Sequence, residues 1–286
     1  MSLNHDLLIN EISRSSKQLT EKLSHITDND WEKPSHCHMW AIKDLVSHII
    51  AVDGFFINTL TRSLAGDFLP PEGMPNPGTG TAESMSGGIS SRAIQISETS
   101  LKTPGQLLEV LSDFETQTLE LLRNIKENQW NNPAYHPMNT LTVELILGLK
   151  HMESVIHNWD IWHSIDDNYV MNEESCLLIC KLWQTSLITD WFFTPDENQL
   201  DPVAISIELG SEANFNLLIW NGALSFNANS DITKQRHPTY ISMSPYRFVL
   251  LMTARTTIDS LITANEIKIE DNLNILNKFH TWFRGT

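Results

Sequence analysis

A chain of 286 residues with 41% hydrophobic and 8% aromatic side chains has ample material for a packed core, and its length favours two domains. Its 19 basic residues are scattered among 35 acidic ones, for a formal net charge of −16. A nucleic-acid partner needs clustered Lys and Arg, so that class is excluded.

Helical periodicity opens the chain. Leu7, Leu8, Ile12, Leu19 and Leu23 recur at helical spacing over residues 4–26. A second helix is predicted over 41–64, with Leu45, Ile49, Val52 and Phe56 on one face. The run FLPPEGMPNPGTGT at 68–81 is too dense in Pro and Gly for a helix. A loop of that length inside a compact domain suits a lid over a pocket. A third helical region spans 90–128 and restarts at Thr103-Pro104, an N-cap followed by proline. A fourth is predicted to start near Asn139 and run through Trp162.

Past residue 168 the pattern changes. One more helix is predicted over 173–192 and a polar linker over 195–202. Short alternating runs at 203–207, 215–220, 223–227 and 240–243 read as strands. Ser244-Pro245 opens a helix, 267–269 is an edge strand and a last helix covers 273–283. The expected fold is multi-domain: an all-α four-helix bundle over 1–168, then a small α+β domain over 169–286.

No run approaches the ~18 apolar residues of a membrane span, so no membrane partner is expected. The first residues show no basic stretch leading into an apolar one, so no signal peptide is expected. Cys37, Cys176 and Cys180 are odd in number and form no CxxC pair, which fits free thiols in the cytoplasm. Nothing in the sequence fixes the oligomeric state.

Histidines concentrate in two segments, 30–56 and 149–165. In the second, Glu153 and His157 are four apart and share a helix face. Both can reach one ion, and a third donor from a neighbouring helix would complete a set with open positions for water or substrate. His48, among Leu45, Ile49 and Val52, is the best third donor. Spacing alone leaves other readings open: His48 as a hydrogen-bonded core histidine, and Glu153 with His157 as a surface ion pair. Asp44 and Asp160 fit either an orienting role beside a ligand histidine or helix capping and ion pairing.

Trp31, Pro34-Ser35, Cys37, Trp40, Asp44 and His48, with Glu153, His157 and Trp159-Asp160, resemble the metal-binding bundle of the DinB/YfiT-like superfamily. The resemblance is nearest to its mycothiol-dependent maleylpyruvate isomerase branch, where glutamate similarly replaces a histidine at the position of Glu153. The run from 215 to 220 and Leu250…Thr253-Ala254-Arg255 look like the sterol-carrier-protein-like domain that follows the bundle there. The resemblance implies a divalent metal, zinc or else nickel, held by His48, Glu153 and His157. It also implies a low-molecular-weight thiol cosubstrate that adds to a small electrophile, in an isomerase or an S-transferase. Arg92 stands where the isomerase bundle has an arginine, and Arg255 resembles that of a TGR motif whose glycine is Ala254 here. Each is implied to clamp a substrate carboxylate. A metal-dependent hydrolase and a non-enzymatic, metal-stabilised carrier of a small molecule or lipid remain as rival readings. An Asn- and Ile-rich composition is unlike that of mycothiol producers, which keeps glutathione and bacillithiol open.

Overall fold

The computed structural model describes residues 3–37, 40–80, 82–96, 98, 101, 103–185, 193–194, 201–210, 213–228, 237, 239–270 and 278–283. The chain divides into two compact units, Ser2–Met171 and Asn172–Thr286.

The first unit is built on four long helices: α1 (His5–Leu23), α3 (Ile42–Leu64), α5 (Pro104–Asn124) and α6 (Val143–Trp162). A single turn, α2 (Asp28–Trp31), precedes α3, and α4 (Ala82–Gln95) packs on α3. Each long helix touches two of the others, α1 and α3 each meeting both α5 and α6. Leu19, Leu23, Trp31, Ile42, Leu45, Ile49, Leu107, Leu111 and Ile161 form a continuous buried cluster between them. Caps fix the helix starts, at Thr103 as the sequence predicts. Asn4 accepts the Leu7 N–H, and Thr103 accepts that of Gln106 ahead of Pro104.

One boundary differs from expectation. Residues 139–142 are not the first turn of α6 but the strand β2 (Asn139–Thr142), paired antiparallel with β1 (Pro133–His136). Thr142 does both jobs, facing Pro133 in the ladder while its hydroxyl accepts the Leu145 N–H as the cap of α6. The third helical region also starts earlier than predicted, at Ala82.

The loop before α4 is fastened to this hairpin. The N–H groups of Gly78 and Gly80 both donate to the Pro137 carbonyl at 3.0 Å, and the Tyr135 hydroxyl donates to that of Pro75 at 2.7 Å. A Cβ on Gly80 would lie 2.9 Å from the Pro137 side chain and 3.0 Å from its backbone, so only glycine fits.

The second unit opens with α7 (Glu173–Trp183), capped by Asn172. Residues 186–192 of the predicted helix, 195–200 of the predicted linker and 273–277 of the predicted last helix lie outside the described residues. The strands are β3 (Val203–Glu208), β4 (Phe215–Trp220), β5 (Ala223–Ala228), β6 (Thr239–Met243) and β7 (Ile267–Glu270). They form one sheet in the order β5-β4-β3-β6-β7, antiparallel except for β3 with β6, and β7 sits at the edge as predicted. Helix α8 (Pro245–Met252), capped by Ser244, packs on α7, and Phe248 bridges Trp183 and Phe215 with ring centroids 5.9 and 5.5 Å away. Among the described residues no helix is long and apolar enough to cross a membrane.

Candidate metal centre

Helix α6 is buried almost all round. Its half-buried positions are Glu144 and Leu145 in the first turn and Glu153 and His157 further on. A helix so enclosed has no solvated polar face, so a carboxylate and an imidazole a turn apart mark a local opening rather than a surface. Their side chains are 28% and 12% exposed. From α3, the buried His48 points at the same spot.

Three donor atoms converge there. His157 Nε2 lies 3.0 Å from His48 Nε2 and 3.1 Å from Glu153 Oε2, and His48 Nε2 lies 3.5 Å from the same oxygen. Ligand atoms ~2.1 Å from a zinc-sized ion stand ~3.4 Å apart in a tetrahedral set and ~3.0 Å apart on an octahedral face. The observed triangle matches those edges, so the donors fit a divalent metal.

Electrostatics supports the fit. Burial and the neighbouring His157 push the His48 pKa down, against the pull of Glu153. Burial acts the same way on His157, but its contacts with Asp160, Cys37 and Glu153 outweigh it and raise the pKa well above 6.5. Burial would raise Glu153, yet the two imidazoles hold it far below the usual carboxylate range. Without metal the cluster therefore carries a proton on His157. His157 Nε2–H then points at His48 Nε2 and Glu153, which places the His48 proton on Nδ1. That buried nitrogen has no hydrogen-bond partner among the described residues. Two imidazole nitrogens and a carboxylate oxygen turned toward one point are matched by a cation, which would take the place of the proton on His157 Nε2.

Asp160, fully buried, accepts the His157 Nδ1–H at 2.9 Å and fixes its tautomer. Asp44 has the other role: its carboxylate accepts the Ala41 N–H at 3.0 Å and caps α3. Trp40 packs its ring 5.2 Å from that of His48, while Trp159 stacks on His163 at 4.3 Å.

Each of the two arginines donates to a group close to it in the chain. Arg92, on α4, is exposed and donates to Gln95 on its own helix at 2.8 Å. Arg255 belongs to the second unit, where it is half-buried and donates to the Thr253 carbonyl at 2.8 Å. Ala254 before it has φ 57°, the left-handed region that the glycine of a TGR motif would occupy freely.

Two residues beside the site are not picked out by spacing. Cys37 donates its S–H to Asp160 at 3.2 Å. His136, at the end of β1, is buried; burial pushes its pKa down to about 4, with the charge of Glu153 opposing. Its Nδ1 accepts the Met138 N–H at 3.3 Å. Cys37 was visible only as one residue of the resembling segment, and His136 only as a histidine next to a turn.

The sequence model for the mycothiol maleylpyruvate isomerase N-terminal domain matches residues 12–162. A search of curated proteins finds no match. Two solved structures share the fold across 93% of this chain and 93% of theirs. One is the mycothiol-dependent maleylpyruvate isomerase (12% identity, TM-score 0.57), the other a histidine-to-alanine mutant of it (13% identity, TM-score 0.59). The family match spans all of α3 and α6, the two helices that bring His48, Glu153 and His157 together, and by it this chain belongs to the mycothiol maleylpyruvate isomerase N-terminal domain family.

Proposed function

We propose that this chain is a metal-dependent enzyme that activates a low-molecular-weight thiol for addition to a small electrophile, as an isomerase or an S-transferase. The observation that carries the reading is the triangle of His48 Nε2, Glu153 Oε2 and His157 Nε2. These residues would hold one divalent ion, zinc or nickel. When bound, such an ion lowers the pKa of a thiol so that its thiolate is present at neutral pH.

The residues do the rest. With the ion bound, Asp160 would keep the remaining proton of His157 on Nδ1 and leave its Nε2 lone pair for the metal. Glu153 supplies the negative charge that offsets the cation, and its partial exposure leaves a path for thiol and substrate. Two neutral imidazoles and one carboxylate leave coordination positions for an external ligand. Arg92 and Arg255 are proposed to hold a substrate carboxylate, each through a two-pronged guanidinium contact. The fold reading that accompanies this is a DinB-like four-helix metal-binding bundle over 1–168 and a sterol-carrier-protein-like domain over 169–286. We place the protein in the cytoplasm, where a small-molecule thiol is kept reduced.

Metal analysis of the purified protein and a conjugation assay with glutathione, bacillithiol or mycothiol test the reading together. Expected are one zinc or nickel per chain and a metal-dependent thioether or isomerised product. Both should be lost in His157→Ala while the circular dichroism spectrum is kept. Ester turnover with no thiol present would favour a hydrolase, and metal-independent binding of an apolar ligand a carrier. A protein that binds neither added zinc nor nickel would overturn the metal centre altogether.

A further inference from the structure

Asp160 is a carboxylate with no exposed surface, and a buried charge persists only when donors surround it. Two donors meet on one of its oxygens. His157 Nδ1–H reaches Oδ2 at 2.9 Å and the Cys37 S–H reaches the same atom at 3.2 Å. The sulfur also lies 3.8 Å from His157 Nδ1, so thiol, carboxylate and imidazole form one closed contact.

The loop around Cys37 is built to hold the thiol there. The His36 N–H donates to the backbone carbonyl of Asp160 at 3.2 Å, which ties the loop to α6 beside the carboxylate. The Ser35 hydroxyl accepts the Cys37 N–H at 3.2 Å and donates to the Trp40 carbonyl at 2.9 Å. The Trp40 N–H closes the turn on the Cys37 carbonyl at 3.1 Å. The local bonds shape the turn, and the His36 bond fastens it to α6 behind the imidazole of His157.

We propose that Cys37 is a positioning residue for the metal centre. Its thiol shares Asp160 Oδ2 with His157 and so sets the rotamer of the carboxylate and the strength of its bond to the imidazole. Without the thiol, Oδ2 would lose one of its two named donors, and the carboxylate could turn away from His157. Ligand imidazoles owe their orientation and basicity to such partners. Cys37, Asp160 and His157 also meet the spacing of a metal-binding set of their own. Here, however, Asp160 Oδ2 and His157 Nδ1 are bonded to each other, and the thiol spends its proton on the same oxygen.

The inference rests on the metal centre proposed above, and one experiment separates the two. Zinc affinity is measured by chelator competition for the wild type, Cys37→Ser, Cys37→Ala and Asp160→Asn, with the visible spectrum of each cobalt(II) form and the imidazole ¹⁵N shifts of His157. Asp160→Asn should lose about 10–100-fold in zinc affinity and Cys37→Ala about tenfold, the range for outer partners of a ligand histidine. Cys37→Ser, which keeps a donor, should recover most of the loss, and the His157 Nδ1–H signal should move in Cys37→Ala but not in Cys37→Ser. A structural role alone would not follow the donor in this way. Wild-type affinity in Cys37→Ala, or an equal loss in Cys37→Ser, would overturn the positioning role while leaving the centre standing. A sulfur-to-cobalt charge-transfer band in the wild type would also overturn it, by making Cys37 a ligand. Zinc binding to none of the four would overturn the centre as well. If Asp160→Asn does not fold, the two Cys37 variants decide the matter.

Discussion

The α3–α6 interface holds two clusters of charge, and they are opposites. Lys150 and Asp53 form a close ion pair sealed from solvent, each the other's counter-charge. His48, Glu153 and His157 lie about one turn away on the same two helices, yet they share one proton among three groups and open to solvent through Glu153. A self-compensating pair needs nothing more and reads as structure. A cluster with two imidazole nitrogens facing each other beside a carboxylate carries the donor set of a cation site. The lesson is that burial alone does not separate scaffold from site; the pairing of charges does.

The largest expected effect breaks the sealed pair. Replacing Lys150 with Met leaves Asp53 as an uncompensated buried charge, which costs about 3–5 kcal/mol. Urea unfolding of metal-free Lys150→Met should show that loss. Replacing Asp53 with Leu in the same chain should restore most of it, because the desolvation of both charges goes with them. If the single variant unfolds at the wild-type urea midpoint, the pair is not the scaffold element described here. The open cluster should behave differently: His48→Ala in the metal-free protein removes an orphaned donor and should cost less than the Lys150 change.

The contrast between the two clusters also shows what the sequence makes legible. Glu153 and His157 are visible because i, i+4 spacing needs only one helix, and His48 because its helix has a clear apolar face. The strands of the second unit are visible from alternation, as at Val203, Ile205 and Ile207. Three features depend on contacts that no local pattern encodes. The β1–β2 hairpin is hidden because Thr142 serves a strand and a helix cap at once. Lys150 lies within a helix buried on nearly all sides, so no polar face announces its partner on α3. Cys37 acts through a loop that folds back onto a helix 123 residues further on. Local periodicity carries no information at that range.

A middle-sized effect comes from the proton in the open cluster. His157 has its pKa raised above the ordinary 6.5, so its protonation stabilises the metal-free fold fully below that value and less as pH rises through the folded pKa. Glu153 is lowered, so its contribution is present above the ordinary 4.5 and is lost as pH falls through its folded value. His48 and His136 are both lowered, so their contribution is lost as pH falls below 6.5, and the metal-free protein should be most stable near the upper of those limits. Zinc binding runs the other way, since His157 must release one proton to ligate. Zinc affinity should rise by about tenfold per pH unit until the raised His157 pKa is passed, and zinc at ~100 times its Kd should add about 3 kcal/mol of stability. Calorimetry in buffers of different ionisation heat should find about one proton released per zinc. Affinity that stays flat with pH would show that His157 is not a ligand, leaving the open cluster no different in kind from the sealed one.

The smallest effect lies in the second unit and serves as the control. Ala254 follows α8 at φ 57°, where a Cβ crowds the following carbonyl and costs roughly 1 kcal/mol. Ala254→Gly removes that strain but also frees the unfolded chain, which takes back part of the gain. The net expectation is a stabilisation of at most ~1 kcal/mol in the unfolding of the second unit, with zinc affinity and its pH dependence unchanged. If Ala254→Gly instead raised activity without a change in stability, the turn ahead of Arg255 would be limiting how that guanidinium is presented. The stored strain would then belong to the site, and the division drawn here between structure and chemistry would have to include a backbone angle as well as charges.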